Sequence, residues 1–361
     1  MSVSRTNWLS SAPDTASNPR AETPLFPHIA RLVRREDLTF NEAAELMRAL
    51  TAGGAGSNQI AAVLTALTIK GETADELAGM ATALRSIALP VDLGRRTALD
   101  ITGTGSSTAK AFNVSTAAAL VAAGAGLTIA KQSNRGVNTR VGSVDVLGDL
   151  GIKVSGEADV AELSLAAAGV TFLFAPKFHP ALRRVAEVRR SLGIRTCLNL
   201  LGILSNPAGV RRQLLGVWHR SMVEPAARAL VRLGSERAWV VHGSDGMDEI
   251  SLAGPTLVAE VNGQSVKGYK IAPKDFGLRA APTAHLRVAT PRESGNIIRD
   301  VLSSRRRDEA RALVVINAAA AIYIGGIAKD PIHAARLAEQ SIDSGQAQNK
   351  LDRLVQVTSK K

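Results

Sequence analysis

Between Asp100 and Ser143 three short polar motifs follow one another: Gly103-Thr104-Gly105-Ser106-Ser107, Asn113-Val114-Ser115-Thr116 and Lys131-Gln132-Ser133-Asn134-Arg135. Each sits where an apolar segment ends or begins, and together they read as a cradle for a phosphate or phosphosugar. Gly103 and Gly105 release the backbone for a tight turn after the apolar residues 98–101, and an Ala-rich helix opens at about Ser115 and runs to about Gly124. Main-chain N–H groups at such a turn and helix start favour an anion. The turn alone is a weak signal: it lacks the Gly-Lys-Ser/Thr of a P-loop, and Thr108 stands where the third glycine of a dinucleotide fingerprint would fall. By itself it fits a plain strand-to-helix connection equally well.

Two further constellations could act on the same ligand. The loop after the apolar residues 238–242 carries Asp245, Asp248 and Glu249, and the adjacent pair Asp248-Glu249 suits magnesium, which takes one or two carboxylates and fills its shell with water and substrate phosphates. The alternative is an Asp-Gly turn whose acids face water. On the helix expected after Pro180, Leu182, Val185, Ala186 and Arg189 share one face, so Arg189 ends an apolar stripe and could grip a carboxylate with two parallel hydrogen bonds, or be an ordinary exposed helix arginine. His179, before that proline, caps or lines the same region, or is structural.

These groups need a scaffold, and its grammar changes along the chain. The first part reads as three short amphipathic helices: Thr39 with Glu42 forms a capping box, Ser57 caps a second helix that Gly71 stops, and Thr73 with Glu76 repeats the box before Pro90 ends the third. From about Ala98, short apolar strands (127–130, 172–175, 238–242) alternate with Ala- and Leu-rich helices, which implies an α/β domain with a mainly parallel sheet. Asn262-Gly263 between two strand-like runs marks a hairpin and so one antiparallel edge. Residues 1–24 read as a disordered tail, 25–93 as a helical domain joined by helices from about 190–218, and 94–189 with 219–361 as the α/β domain.

Composition narrows the class. With 361 residues, 45% of them apolar, the chain can bury a sizeable core, and no apolar run reaches the ~18 residues of a membrane span. The N-terminal residues lack the apolar stretch of a secretory signal. The one cysteine, Cys197, excludes an internal disulfide and lies in an apolar run, the setting of an inert buried thiol; a cytoplasmic location fits. A net charge of +12 suits anionic ligands, either nucleic acid or a small phosphorylated substrate. Aromatic residues are only 3% of the chain, so stacking platforms for single strands are scarce.

From about Phe26 to Thr358 the chain resembles the anthranilate phosphoribosyltransferase family, on Ile69-Lys70-Gly71-Glu72-Thr73, the motifs of residues 100–105 and 112–116, His179-Pro180-Ala181, Val188-Arg189-Arg190, Asn206-Pro207-Ala208, the acidic loop 245–251, Asp275-Phe276-Gly277-Leu278, residues 317–321 and Ile342-Asp343-Ser344-Gly345. The resemblance implies a small N-terminal helical domain packed on a larger α/β domain with a mixed, mainly parallel central sheet, as in nucleoside phosphorylases, with the site in the cleft between them and a homodimer formed through the helical domains. It implies phosphoribosyl pyrophosphate as donor, anthranilate as acceptor and Mg2+ as cofactor, in tryptophan biosynthesis. Carried over by motif, the donor would meet Gly103, Ser106, Ser107, Asn113, Val114, Ser115, Thr116, Lys131 and Ser143. Anthranilate would meet Gly103, Asn134 and Arg189, magnesium would meet Ser115, Asp248 and Glu249, and no residue is assigned as acid or base.

Several positions depart from the family pattern: Ser106-Ser107 replace Gly-Asp, Ala111 replaces Ser, Gln132-Ser133 replace His-Gly, and Ile203 replaces Pro. Ser106 and Ser133 would be strained wherever the turn demands positive φ, and Gln132 and Ile203 reshape the acceptor's surroundings. Two alternatives therefore stand beside the anthranilate reading: a phosphoribosyltransferase with another aromatic or amine acceptor, and a non-catalytic nucleic-acid-binding relative. The retained Asp248-Glu249 pair argues against the latter, because carboxylates repel a phosphate backbone unless a metal intervenes.

Overall fold

The computed structural model describes residues 24–359 apart from 106, 108, 110 and 137–140. Four helices come first: α1 (Phe26–Val33), α2 (Phe40–Thr51), α3 (Ser57–Lys70) and α4 (Ala74–Ser86). Thr39 and Thr73 accept from the main-chain N–H groups of Glu42 and Glu76, whose side chains reach back to the caps, so both capping boxes form. The sequence reading missed α1, whose short eight-residue run lacks a side-chain cap. Ser57 turns out to be the first residue of α3, with Gly56 at the cap, and α4 ends at Ser86, four residues before Pro90.

The α/β part begins with β1 (Ala98–Gly103), α5 (Val114–Gly124), β2 (Thr128–Ser133), α6 (Ser143–Asp149), α7 (Ala158–Ala168) and β3 (Val170–Phe174). A short α8 (Ala175–Phe178) leads through a 3-10 turn into α9 (Arg183–Leu192) and α10 (Leu198–Leu204). Then follow β4 (Arg212–Gly216), α11 (Val223–Arg232), β5 (Arg237–Gly243) and the hairpin β6 (Thr256–Asn262) and β7 (Ser265–Ile271). Helices α12 (Pro291–Leu302), α13 (Glu309–Gly325), α14 (Pro331–Asp343) and α15 (Gln346–Ser359) complete the chain.

One sheet in the order β3-β2-β1-β4-β5-β6-β7 runs through the domain; β3 to β5 are mutually parallel and β6 and β7 antiparallel, as the Asn262-Gly263 turn implies. The sequence reading did not find β4, whose five residues are short and end in Gly216, yet this strand lies at the sheet's centre between β1 and β5. The expected helical stretch 190–218 is therefore divided, with α10 packing on α4 and residues 212–216 belonging to the sheet.

Strand alternation joins the two parts. On β5, Trp239 and Val241 enter a core with α5 and α13, while Ala238 and Val240 enter the core that holds Leu64, Leu77, Leu200 and Ala226 of α3, α4, α10 and α11. The helical layer thus shares its core with one sheet face, each fully buried leucine contributing about 1.5–3 kcal/mol. Arg85 Nε donates to the Leu204 carbonyl at 2.9 Å, tying the end of α4 to the end of α10. Cys197 is fully buried, and burial pushes its thiol up, with Glu72 adding to the shift, as expected for an inert cysteine.

The turn between α3 and α4 concentrates charge. Lys70 Nζ lies 2.9 Å from Glu76 and 2.7 Å from Asp37, with the Lys70 and Glu76 side chains 4% and 0% exposed. Burial alone would pull the ammonium down, but both carboxylates hold it above the usual lysine value. Glu76 also accepts from the main-chain N–H groups of Leu38 and Thr73. Removing the cation in Lys70→Met strands a buried carboxylate and should cost about 3 kcal/mol or more in urea unfolding at neutral pH.

Neighbouring Glu72 has its carboxyl pushed up to about 7 by burial. The unfolded chain ionises this group from about pH 4.5 upward while the folded state keeps the proton to about 7, so stability falls across that window. Glu72→Gln should flatten the decline and leave the protein about 3 kcal/mol more stable at pH 8 but little changed at pH 4, measured by urea unfolding at both values.

Candidate active site

The cleft forms where the acidic loop after β5 crosses the C-terminal ends of β1 and β4. The main chain of Asp248 passes so close to both strands that a Cβ on Gly216 would stand 1.7 Å from the Asp248 carbonyl oxygen, and one on Gly103 2.8 Å from it. Only glycine fits at either strand end. Asp248 Oδ2 then accepts from Gly105 N at 2.7 Å and Thr104 Oγ1 at 2.9 Å, and Glu249 Oε1 accepts from Ser115 N at 3.1 Å in the first turn of α5. Asn317 of α13 holds the next residue from behind, accepting from Ile250 N at 2.9 Å and donating to Ile250 O at 3.0 Å.

Asn113 closes the start of α5 against α12: its N–H donates to Ser294 Oγ at 3.0 Å, and that hydroxyl donates to Asn113 Oδ1 at 3.1 Å. From β2, the buried Lys131 Nζ donates to the Ile101 carbonyl at 2.7 Å. Asp100 lies beneath, accepting from Thr102 Oγ1, from Gln132 N at 3.2 Å and from Asn206 Nδ2 at 2.8 Å, and burial raises its carboxyl despite Lys131 nearby. Asn134 and Ser143 are locked reciprocally: the Asn134 N–H donates to Ser143 Oγ at 3.0 Å and the Ser143 hydroxyl to Asn134 O at 3.1 Å.

The opposite wall comes from α9 and α10. Arg189 lines the cleft with Leu198, Asn199, Gly202 and Ile203, its buried Nε lacking a hydrogen-bond partner among the described residues. Burial pulls its pKa below the usual arginine value, Cys197 partly opposing the shift. The cleft opens to solvent and its cavity volume is about 110 Å³.

The structure thus brings Gly103, Asn113, Ser115, Lys131, Asn134, Ser143, Arg189, Asp248 and Glu249 to one cleft. Three expected donor residues stand elsewhere. The Val114 side chain lies in the core, Thr116 is fully buried with its hydroxyl unpartnered among the described residues, and Ser107 turns to the acidic loop, where Oγ donates to Gly246 O at 2.6 Å. Helix α5 is buried nearly all round, and at its start Asn113 and Ser115 line the cleft while Val114 and Thr116 do not. Ser106 lies outside the described residues, as do residues 1–23 of the expected tail.

Ser133 does not meet the expected strain: it ends the extended β2, and the described non-glycine residues at positive φ are Arg35 and Ser304. Ala111 packs into the core, and His179 is buried with Nε2 at 2.9 Å from Ser205 O and does not line the cleft. The sequence reading missed Thr104 as a carboxylate partner, Gly216 as a crossing point, and Asn199 and Gly202 as wall residues. The Gly103-Thr104-Gly105 turn could have signalled Thr104, but no local spacing announces the others.

The donors fit magnesium by type and number. Two carboxylates and the Ser115 hydroxyl are hard oxygen ligands in one cleft, and Asp248 is already oriented by two hydrogen bonds. Among the described residues no group of three or more His, Cys, Asp or Glu side chains is placed to hold a metal, so an ion here would rely on water and phosphate oxygens as well. The densest basic run is largely neutralised, with Arg305, Arg306 and Arg307 paired to Asp300, Asp308 and Asp343. Among the described residues no helix is long and apolar enough to cross a membrane.

Comparison with known proteins agrees with this geometry. Residues 27–88 match the glycosyl transferase family helical bundle domain and residues 95–348 its a/b domain. The anthranilate phosphoribosyltransferase of Citrifermentans bemidjiense is 43% identical over 345 residues, covering 92% of this chain and 98% of that protein, and that of Myxococcus xanthus is 45% identical over 329 residues, covering 91% and 97%. The crystal structure of the Thermus thermophilus enzyme superposes with a TM-score of 0.86 at 38% identity, covering 92% of this chain and 99% of that one. The Saccharomyces cerevisiae enzyme in complex with PRPP and Mg superposes with a TM-score of 0.85 at 26% identity, covering 95% and 99%. With both domains matched and relatives aligned over nearly their whole length, the chain belongs to the anthranilate phosphoribosyltransferase family.

Proposed function

We propose that the protein transfers the phosphoribosyl group of phosphoribosyl pyrophosphate to the amino group of anthranilate, giving N-(5-phosphoribosyl)anthranilate and pyrophosphate, a step of tryptophan biosynthesis. The observation that carries the reading is the two-walled cleft: a turn, a helix start, a lysine and two carboxylates on one side, and a guanidinium among apolar side chains on the other. The first wall suits a magnesium-bound sugar pyrophosphate and the second an aromatic carboxylate.

As the ribose C1–O bond breaks, its electron pair leaves on pyrophosphate and the sugar gains oxocarbenium character; the amine nitrogen bonds to C1, and one N–H proton passes to water. Asp248, Glu249 and Ser115 would hold magnesium, which would supply positive charge against the departing phosphates. The main chain of Gly103 and the start of α5 at Asn113 and Ser115 orient the donor, and Lys131 adds a cation beneath it. Arg189 grips the acceptor carboxylate and Asn134 borders it, so positioning supplies much of the remaining acceleration. Bound 4-fluoroanthranilate in a structure of the yeast enzyme supports the acceptor class.

The test follows anthranilate fluorescence with donor and magnesium present. Wild-type protein should consume anthranilate in a magnesium-dependent manner, and Asp248→Asn/Glu249→Gln should lose at least about 100-fold in kcat/KM while staying folded. A folded wild-type protein that binds the donor yet leaves anthranilate untouched would shift the reading to another amine acceptor.

We also propose that the functional unit is a homodimer formed through the helical part. Its outer helices leave Phe26, Val33 and Ile69 exposed, the last two at 68% and 64%, a placement that suits a covered face. Light scattering should give about twice the chain mass, and Val33→Glu/Ile69→Glu should give the monomer.

A further inference from the structure

Buried polar atoms without partners are costly, and those at the acceptor wall point to a ligand. Gln132 is 3% exposed, lines the cleft, and neither Oε1 nor Nε2 has a hydrogen-bond partner among the described residues. Its neighbours are, by contrast, satisfied: Asp100 takes three hydrogen bonds and Asn206 uses both ends of its amide. An amide tied into that network would be structural; this one is desolvated with nothing in return.

Its place in the strand says what could satisfy it. Successive residues of β2 face opposite sides of the sheet: Ile129, and with it Lys131, faces the core of α5, whereas Ala130, and with it Gln132, faces the side of Phe178 and Ala208. Gln132 therefore opens into the cleft on the face of Arg189 and Ile203, away from the lysine and the start of α5.

We propose that Gln132 is a specificity determinant for the acceptor, reading an amino group and an adjacent carboxylate together. Nε2 donates to the carboxylate that Arg189 grips, and Oε1 accepts one amine N–H, which leaves the nitrogen lone pair aimed at the sugar carbon. This rests on the acceptor class proposed above. An amide does both tasks without titrating, so it selects for a neighbouring donor and acceptor on one ring and not for charge alone.

The decisive variant is Gln132→Met, close in length and free of hydrogen-bonding groups. We expect the Kd of anthranilate for donor-loaded protein to rise about 10- to 100-fold, that of benzoate, which lacks the amine, to rise less, and the KM of the donor to stay within about twofold. The ligand-free variant should melt a few degrees higher than wild type, because an unpaired polar group has been removed from the interior. An amide held by buried water would behave oppositely, with a lower melting temperature and unchanged anthranilate binding, and that result overturns the proposal. Titration also separates this from the reaction itself: anthranilate that binds tightly, weakens in Gln132→Met and is never turned over sinks the proposed activity and upholds the subsite, whereas equal binding by both proteins, or none by either, overturns the subsite.

Discussion

The close passage of the Asp248 main chain over Gly103 and Gly216 is the contact on which the rest of the site depends. Strands β1 and β4 are neighbours, and a side chain on the last residue of either would lift the acidic loop off the sheet. Once the loop lies flat, three things follow with no further instruction. Asp248 meets the N–H of Gly105 and the hydroxyl of Thr104, Glu249 meets the first turn of α5, and Ile250 falls into the grip of Asn317. Two acids that would repel each other in a floppy loop are thereby fixed as one anionic wall beside main-chain donors, a pairing that suits a cation and a phosphate together.

The second organising fact is the parity of β2. Lys131 and Gln132 are adjacent in sequence, yet the pleat sends them to opposite faces, so a single strand end serves both halves of the cleft. The same alternation in β5 gives the helical layer its share of the sheet's core, and Arg85 fastens α4 to α10. The acceptor wall is therefore built on the element that couples the two parts. A change in how α4 and α10 pack would move Ile203 and the rest of that wall without touching the donor side.

Much of this was legible in the residues, for reasons that differ by element. Capping boxes at Thr39 and Thr73 and the Asn262-Gly263 turn are local hydrogen-bond chemistry, so their positions can be read directly. The Asp248-Glu249 pair and Arg189 were visible as charges in apolar company, although which way they pointed was not. Strand β4 was hidden because five residues that follow one arginine and begin with another carry little periodicity; its burial comes from neighbours distant in sequence. Val114 and Thr116 were assigned to the donor by motif, but both side chains are buried in the packing of α5 and neither lines the cleft. Ser133 was expected to be strained by a turn, whereas the strand extends through it, three residues beyond the expected end at Ala130.

An asymmetry in polar satisfaction runs through the whole cleft. On the donor side Asp248, Glu249, Asn113 and Lys131 are held by internal hydrogen bonds before any ligand arrives. Across from them Gln132 and the Arg189 Nε line the cleft buried and unpartnered among the described residues, while on the side of Lys131 the Ser133 hydroxyl shares that state. A satisfied wall is rigid and its geometry is settled on folding; an unsatisfied one stores a desolvation cost that a ligand with matching groups relieves. The donor, whose leaving group develops charge, gains most from a preorganised surround, since no reorganisation is then needed as the bond breaks. The acceptor brings a weakly basic amine and gains most from being selected and aimed. The distribution of hydrogen bonds thus divides the labour of the site: one wall is built for the transition state's charge, and the other for the identity of the nucleophile.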